Sequence, residues 1–536
     1  MFERKAFFWV PFLAIVGIAA VLRIPAVINP GLWVDEMFSI AMATGHSLEH
    51  PAADAVADLG DYVELTEPST ATQFRQYLRH DSPPASLARN LRAVKMSDTN
   101  PPLYYVLLNF WTRWFGTDDV AVRCFSLLCG LACFPLLWSL GRKIGGEATA
   151  WVACVLFACS PRAIYYSAEA RMYSLLWFQA LLLAWLSLEL TRRGPRPWLL
   201  ISWILAGTSG LLTHYFFAFV VAACLLWLLV YPGLLARWQA TGIGAMAALV
   251  IAPWYMQIPE TLGYWRVTAG WLDYPLTLKQ IVINPLLMGW SFVSAFGIWD
   301  SPLAPEFALV ALFTVLIIVT IRRRFFKMFS TDRLLIWAWA LAACIGPVIF
   351  DILRGTNASL IARYALLGLP AGLLLVATAA SWLPTKWNSA FVLLVLLAWT
   401  PGIYGTFAEP SRRWQPFPEI SAELQSSLGP DDLIIVHSNP GGVLGVARYL
   451  ETDTPLTSRV IRLHERDTAL DMRQLVNTRC RVALVLVHDL DDPAPEDAWL
   501  KEHGRLERKV IFSDVPRAEI KYYQLTQLGE KFETRC

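Results

Sequence analysis

The stretch AFFWVPFLAIVGIAAVLRIPAVINPGLWVDE, Ala6 to Glu36, frames the reading of the whole chain. Residues 6–27 form an apolar run of the length that crosses a bilayer, for which about 20 residues are needed. Arg4 and Lys5 precede it as they would a signal peptide. No clean A-x-A cleavage site closes the run, however, and many similar runs come later, so the segment reads as an uncleaved first span. Directly after it stand two adjacent carboxylates, Asp35 and Glu36, beside Trp33. Which side of the membrane they face, and what they meet there, depends on the rest of the chain.

The 536 residues are 56% hydrophobic and 16% charged, with a mean hydropathy of +0.44. That is too apolar for a soluble protein of this size, and the expected fold class is a polytopic α-helical membrane protein. Apolar runs place spans near 6–27, 119–141, 147–164, 172–190, 198–213, 215–232, 241–257, 304–321, 333–350, 363–383 and 387–405, about eleven in all. The run 102–116 is too short to cross, and its aromatic residues suit a helix lying at the interface.

The short loops carry basic clusters at Arg142-Lys143, Arg192-Arg193-Arg196, Arg237, Arg322-Arg323-Arg324-Lys327 and Lys386. If eleven spans alternate, every cluster falls on the side of Arg4-Lys5, which the positive-inside rule assigns to the cytoplasm. One missed span would have scattered them. The N-terminus is then cytoplasmic and the C-terminus outside, in a cell (inner) membrane. Four outer segments follow: a long first loop at 28–101, a loop at 258–303, a short one at 351–362, and a tail from 406 to the end. The polarity agrees, since residues 28–100 carry ten acidic against five basic side chains and the tail 21 against 17. The division expected is therefore a transmembrane domain over 1–405 and an extracytoplasmic accessory domain over 406–536.

The tail reads as a small α/β domain. DLIIVHS and RVALVLVHD are short buried-strand runs, GGVLGVARYLE between them is helical, and RKVIFSD and IKYYQLT suit further strands. No GxGxxG or P-loop occurs, which argues against nucleotide binding, and nothing suggests a nucleic-acid partner. Seven of nine cysteines lie in apolar segments as packing residues. Cys480 and Cys536 are placed where a disulfide is feasible, with no spacing that requires one.

Against this background the informative residues are ionisable groups at the outer ends of spans. Arg123, Arg162, Arg171 and Arg363 sit there against the charge bias, with Glu169, His214 and the Asp35-Glu36 pair at the same depth. Snorkelling or mutual pairing explains any one of them. Eight converging on one face, with tyrosines at 104, 105, 165, 166, 173, 215 and 364, describe an outward-facing polar cavity instead. Guanidinium forks match phosphate oxygens and stay charged. A carboxylate takes the proton from an acceptor hydroxyl as a sugar is transferred to it. Glycosyl transfer from a phosphate donor uses both.

Several motifs then stand in a telling order: Asp35-Glu36 after the first span, TNPPLYYVLLNFW (Thr99–Trp111), VRCFSLLCG (Val122–Gly130), SPRAIYYSAEARMYSLL (Ser160–Leu176), THYFF (Thr213–Phe217) and ARYALLGLP (Ala362–Pro370). As a set they resemble the bacterial branch of the dolichyl-phosphate-mannose protein mannosyltransferase family. That branch belongs to the GT-C glycosyltransferase superfamily and is similar to the lipid A aminoarabinose transferases. The resemblance covers about residues 6–405. It implies a GT-C-type membrane domain, a polyprenyl-phosphate sugar donor and transfer on the outer face. By the same resemblance Asp35 is the general base, with Glu36 its neighbour or the alternative base, and Glu169 fills the second acidic position. Arg171, Tyr173, His214, Tyr215, Arg363 and Tyr364 hold donor phosphate or sugar. The turn before Pro-Pro-Leu-Tyr-Tyr is often led by His in the family. Here it is Asn100, placed with Tyr104 as a sugar contact.

Some GT-C enzymes use a divalent cation on first-loop carboxylates. Asp35, Glu36 and Glu169 would offer oxygens suited to a hard ion, although the spacing requires no cofactor. The acceptor stays open between a lipid, a glycan and a protein, as does the sugar between a hexose and a pentose. The competing reading is a transporter or flippase of a lipid-linked substrate. It would place charged residues and Gly/Pro breaks at mid-span in two repeated halves, and no internal repeat is visible.

Overall fold

The computed structural model describes residues 2–29, 31–48, 55–65, 67–97, 100–258, 272, 274–295, 303–408, 415–460, 472–476, 479, 481–487, 494–513 and 517–525. Cys480 and Cys536 lie outside these residues. In chain order the helices used below are α1 (Phe2–Ile28), α2 (Val34–Thr44), α3 (Leu87–Ser97), α4 (Leu103–Phe115), α5 (Asp119–Gly145), α6 (Glu147–Cys159), α7 (Pro161–Ser167) and α8 (Tyr173–Arg193). They continue with α9 (Pro197–Leu211), α10 (Phe217–Val230), α11 (Arg237–Tyr255), α12 (Leu278–Trp290), α13 (Leu303–Met328), α14 (Thr331–Arg354), α15 (Leu369–Ala380), α16 (Thr385–Ala408), α17 (Phe417–Ser427), α18 (Pro440–Tyr449) and α19 (Pro495–His503).

All eleven segments read as spans are helical. Among the described residues seven helices are long and apolar enough to cross a membrane, or eight if the bent pair α6–α7 counts as one. The α9 and α10 helices, 15 and 14 residues long, are shorter. The spans expose apolar side chains such as Val10, Leu13, Val315, Ile318 and Leu397, a surface suited to lipid and not to water. The protein is a multi-span membrane protein.

The chain divides into two compact units, Met1–Ile28, Arg123–Ile258 and Trp271–Ala408 forming one and Asn29–Val122 with Glu409–Cys536 contributing to the other. The units thus do not follow chain order: the first loop shares a unit, the second, with the tail.

In the membrane unit the break between α6 and α7, bent by 61°, comes from sequence. Pro161 has no N–H to donate, so carbonyls at the end of α6 lose their helical partners. Arg23, fully buried inside the first span, supplies the donors. Its guanidinium bonds the carbonyls of Phe157 (3.0 Å) and Ala158 (2.9 Å) and that of Ala19 (2.9 Å). An intramembrane charge thereby becomes a helix cap. A similar arrangement holds the 3₁₀ turn Ala362–Gly368, where the indole N–H groups of Trp177 and Trp339 donate to the carbonyls of Leu366 and Leu367.

The loop expected over 258–303 contains α12, a correction to the reading of this segment as loop alone. Its start was legible: Thr277 and Gln280 form a capping box, with the Gln280 N–H donating to Thr277 Oγ1 and the Thr277 N–H to Gln280 Oε1. Asp351, at the end of α14, organises the next loop by accepting from the Thr356 hydroxyl and the N–H groups of Ala358 and Ser359, each at 2.7 Å.

The tail carries the expected strands and one more: β1 (Leu433–Ser438), β2 (Leu456–Val460), β3 (Arg481–Val487), β4 (Gly504–Ser513) and β5 (Ala518–Leu525). The sheet order is β2-β1-β3-β5-β4, with β2, β1 and β3 parallel and β5 and β4 antiparallel. β1 and β3, apolar on both faces, occupy the buried middle, as parallel strands do. β4 is an edge strand and shows it, with exposed Arg505, Glu507, Arg508 and Lys509. The other edge, β2, is covered by the first loop, where Ser69 and Leu456 exchange backbone hydrogen bonds of 2.8 and 2.7 Å.

Candidate active site

The residues singled out from sequence fall into two sets, one in each unit. Glu169, Arg171, Tyr173, His214, Tyr215, Arg363 and Tyr364 belong to the membrane unit. Asp35, Glu36, Asn100 and Tyr104 belong to the second unit.

In the membrane unit, α7 begins with Pro161 after Ser160, whose hydroxyl accepts the Ala163 N–H (3.3 Å). The helix ends after two turns, and residues 168–172 form a tight turn into α8, with the Arg171 N–H donating to the Glu169 carbonyl (2.7 Å). Ser126 of α5 pins the turn: its hydroxyl donates to the Arg171 carbonyl (3.2 Å), and Ser174 donates back to the Ser126 carbonyl (2.8 Å). This places Glu169 and Arg171, both buried, beside Tyr173.

Around that turn the predicted residues converge. The charges of Arg363, Glu169 and Arg171 all act on the Tyr173 hydroxyl, and those of Arg171 and Arg363 act on His214. The rings of Tyr166 and Tyr173 meet edge to face at 4.9 Å, and His214 lies 6.1 Å from Tyr364. His214 Nδ1 accepts the Phe216 N–H (3.0 Å), which leaves the ring proton on Nε2. Tyr215 stands somewhat apart in its partners: its hydroxyl accepts the Trp254 indole N–H (3.2 Å) and its ring contacts Tyr255. Arg162 and Tyr166, counted from sequence among the cavity groups but given no role there, join this site: they hydrogen-bond each other while Tyr166 also feels Glu169 and Arg363. Their spacing of four on a helix was the available signal. The set gathers Arg162, Arg171 and Arg363 with a carboxylate and tyrosine hydroxyls, a composition that suits a bound phosphate.

In the second unit, α2 carries the acidic pair in its first turn, where negative charge is favoured. The two carboxylates have different surroundings. Glu36 is buried, and its Oε2 accepts the Trp33 N–H (3.1 Å), the side-chain half of a capping box. Asp35 is half-buried. The far end of α2 is held by side-chain amides: Asn90 donates to the Met42 and Ala43 carbonyls, and Asn109 of α4 to that of Ala43 (2.6 Å). Gly45 closes the helix at φ 89°, in the left-handed region that suits glycine.

The α4 helix is the short amphipathic segment expected from 102–116. Tyr104, Tyr105, Leu108, Asn109 and Thr112 are buried, while Phe110, Trp114 and Phe115 are exposed on the other face. Asn100, half-buried, stands just ahead of it. Among the described residues no three His, Cys, Asp or Glu side chains lie close enough to share a metal ion.

Residues 99–256 match the sequence model of the family described as dolichyl-phosphate-mannose-protein mannosyltransferase. Over 109 residues the chain is 28% identical to YkcB of Bacillus subtilis (strain 168), named as a candidate mannosyltransferase. That match spans 20% of this chain and 15% of YkcB, a small part of the relative's length. The fold is similar to that of ArnT from Cupriavidus metallidurans bound to undecaprenyl phosphate. The TM-score is 0.55 at 13% identity, covering 96% of this chain and 98% of that one. ArnT in the apo state gives a TM-score of 0.51 at 12% identity, with 97% and 98% covered.

Proposed function

We propose, from the premise that this chain is a GT-C-type glycosyltransferase similar to the protein mannosyltransferases and to ArnT, that it moves a sugar from a polyprenyl-phosphate donor to an acceptor on the extracytoplasmic face. The observation that carries this reading is the cluster of Arg162, Arg171 and Arg363 with Glu169, Tyr166 and Tyr173, in which Glu169, Arg171 and Tyr173 are buried and the other three half-buried. Three guanidinium groups around one carboxylate leave an excess of positive charge, and their forks match the oxygens of a multiply charged, phosphate-like ligand.

In this mechanism Arg171 and Arg363 take the donor phosphate and stabilise the negative charge that develops as the sugar–phosphate bond breaks. Tyr173, Tyr364 and His214, neutral with its proton on Nε2, donate hydrogen bonds to phosphate or sugar oxygens. Asp35 accepts the acceptor hydroxyl's proton as the new glycosidic bond forms. Glu36 is the alternative base; the bond from the Trp33 N–H to its Oε2 favours Asp35 in that role. Asn100 and Tyr104 contact the sugar. A divalent cation, if one takes part, would add charge neutralisation at the leaving phosphate. The match to ArnT bound to undecaprenyl phosphate supports a lipid-linked donor. Protein, lipid and glycan acceptors all present the hydroxyl this chemistry needs.

The test uses the purified full chain in liposomes containing undecaprenyl-phosphate mannose, with pentose- and other hexose-linked lipids as alternatives. The expected result is cleavage of one lipid-linked sugar with release of undecaprenyl phosphate and glycosylation of an added acceptor. Movement of an intact lipid-linked sugar across the bilayer without cleavage would favour a transporter and contradict the proposal.

A further inference from the structure

Four consecutive backbone N–H groups lead into α2, and each is taken by a side chain from a different place. The Gly31 N–H donates to Asp119 Oδ2 (3.0 Å), that of Leu32 to the Tyr449 hydroxyl (2.8 Å), that of Trp33 to Glu36 Oε2 (3.1 Å) and that of Val34 to Gln415 Oε1 (3.2 Å). Free donors are the normal condition of a helix start, and water is their usual partner. Here only one of the four acceptors is local.

The remote acceptors are themselves tied together. The Tyr449 hydroxyl, while accepting from Leu32, donates to Asp119 Oδ2 (2.6 Å). Arg448 Nε donates to Asp119 Oδ1 (2.9 Å) and its Nη2 to the Thr117 carbonyl (2.7 Å). Burial and the Asp119 charge push the Tyr449 hydroxyl's titration upward, so it keeps the proton it donates. Arg448 and Tyr449 are the last two residues of α18, and that end is held in turn by Arg75 of the first loop, which donates to the Ala447 (2.7 Å) and Leu450 carbonyls. At the other end of α18, Gly441 lies against Phe38 and Val34 of α2. A Cβ there would stand 2.7 Å from the Phe38 ring. Helix α18 of the tail therefore packs on α2 at one end and, through the Tyr449–Asp119 relay at the other, holds the turn that leads into α2.

We infer that Tyr449, Asp119 and Arg448 form a positioning clamp through which the tail domain fixes the turn 31–34, and with it the Asp35 carboxylate at the next position. This rests on the general-base reading of Asp35. The tail is then part of the catalytic apparatus, and none of the three clamp residues touches the reacting atoms. Catalytic geometry is sensitive to small displacements, so loosening the turn lowers turnover and leaves donor affinity in place.

The test compares the full-length protein with Tyr449→Phe, and with Asp119→Asn and Arg448→Lys in case the first variant folds poorly. Amide hydrogen exchange should quicken about tenfold or more in the peptide covering residues 31–38, with the β1 and β3 peptides unchanged. Steady-state transfer, with undecaprenyl-phosphate mannose or the fastest sugar of the panel, should show kcat reduced about tenfold and the donor KM within about twofold. Unchanged exchange at 31–38 would overturn the clamp. So would faster exchange spread through the tail sheet together with a raised KM, since that is loss of folding and not of positioning. Asp35→Asn is assayed alongside. If it keeps full transfer, the general-base reading falls, while the exchange result still decides whether the clamp exists.

Discussion

Asp35 and Glu36 are neighbours in sequence, yet the structure separates them by partner. Glu36 spends one oxygen on the Trp33 amide. Glu36→Gln keeps an acceptor oxygen and should keep most of the transfer activity. Glu36→Ala should destabilise the second unit by about 1 kcal/mol, read by thermal unfolding. A second residue-scale expectation lies in the tail. Burial alone would raise the Asp497 carboxyl, but hydrogen bonds from Lys501, Lys521 and Tyr523 outweigh it and bring the group down to about 2. A carboxyl held below its unfolded value stabilises the fold at pH above that value, and the contribution disappears as pH falls from about 4 toward 2. Urea unfolding of the protein followed through tail fluorescence should show that decline, and Asp497→Asn should flatten it.

Among the elements, the bent pair α6–α7 depends on one side chain from another helix. Arg23→Met keeps volume but removes the donors for the Phe157 and Ala158 carbonyls. It should lower stability in detergent by about 1–3 kcal/mol, measured as a loss of thermal midpoint. Contact between α2 and α18 gives a further expectation. Gly441→Val meets the Phe38 ring and should destabilise by about 1–3 kcal/mol through overpacking. Much at this scale was legible from the chain. The runs LIIVHS and RVALVLV read as buried strands because both faces are covered, and 102–116 read as an interfacial helix from its length and aromatic residues. The β2 strand, LTSRV, was missed because short polar alternation at a sheet edge carries little hydrophobic signal. The α12 helix was missed although its Thr277–Gln280 capping box was there to be read.

Across the whole molecule the site was legible in part, for a physical reason. Glu169, Arg171 and Tyr173 lie within five residues, so their grouping could be read locally. His214 and Arg363 followed from their unusual depth at span ends. The clamp could not be found this way: Leu32 and Tyr449 are 417 positions apart, and a single sequence carries no record of their contact. The orientation assigned from basic loops remains a proposal with its own test. Single cysteines placed at Asp35 and Arg171 should react with an impermeant thiol reagent added from outside, after the native cysteines are removed. A cysteine at Arg192 should react only from within.

The measurement that bears most directly on the central claim sets Asp35→Asn beside Glu36→Gln and the unaltered protein in liposomes carrying undecaprenyl-phosphate mannose or its active counterpart. Sugar transfer and retention of undecaprenyl phosphate are followed together. The account predicts that Asp35→Asn retains the lipid phosphate with near-normal affinity and loses transfer by a factor of about a hundred or more, while Glu36→Gln transfers nearly as the parent does. Transfer by Asp35→Asn at the parent rate would contradict it.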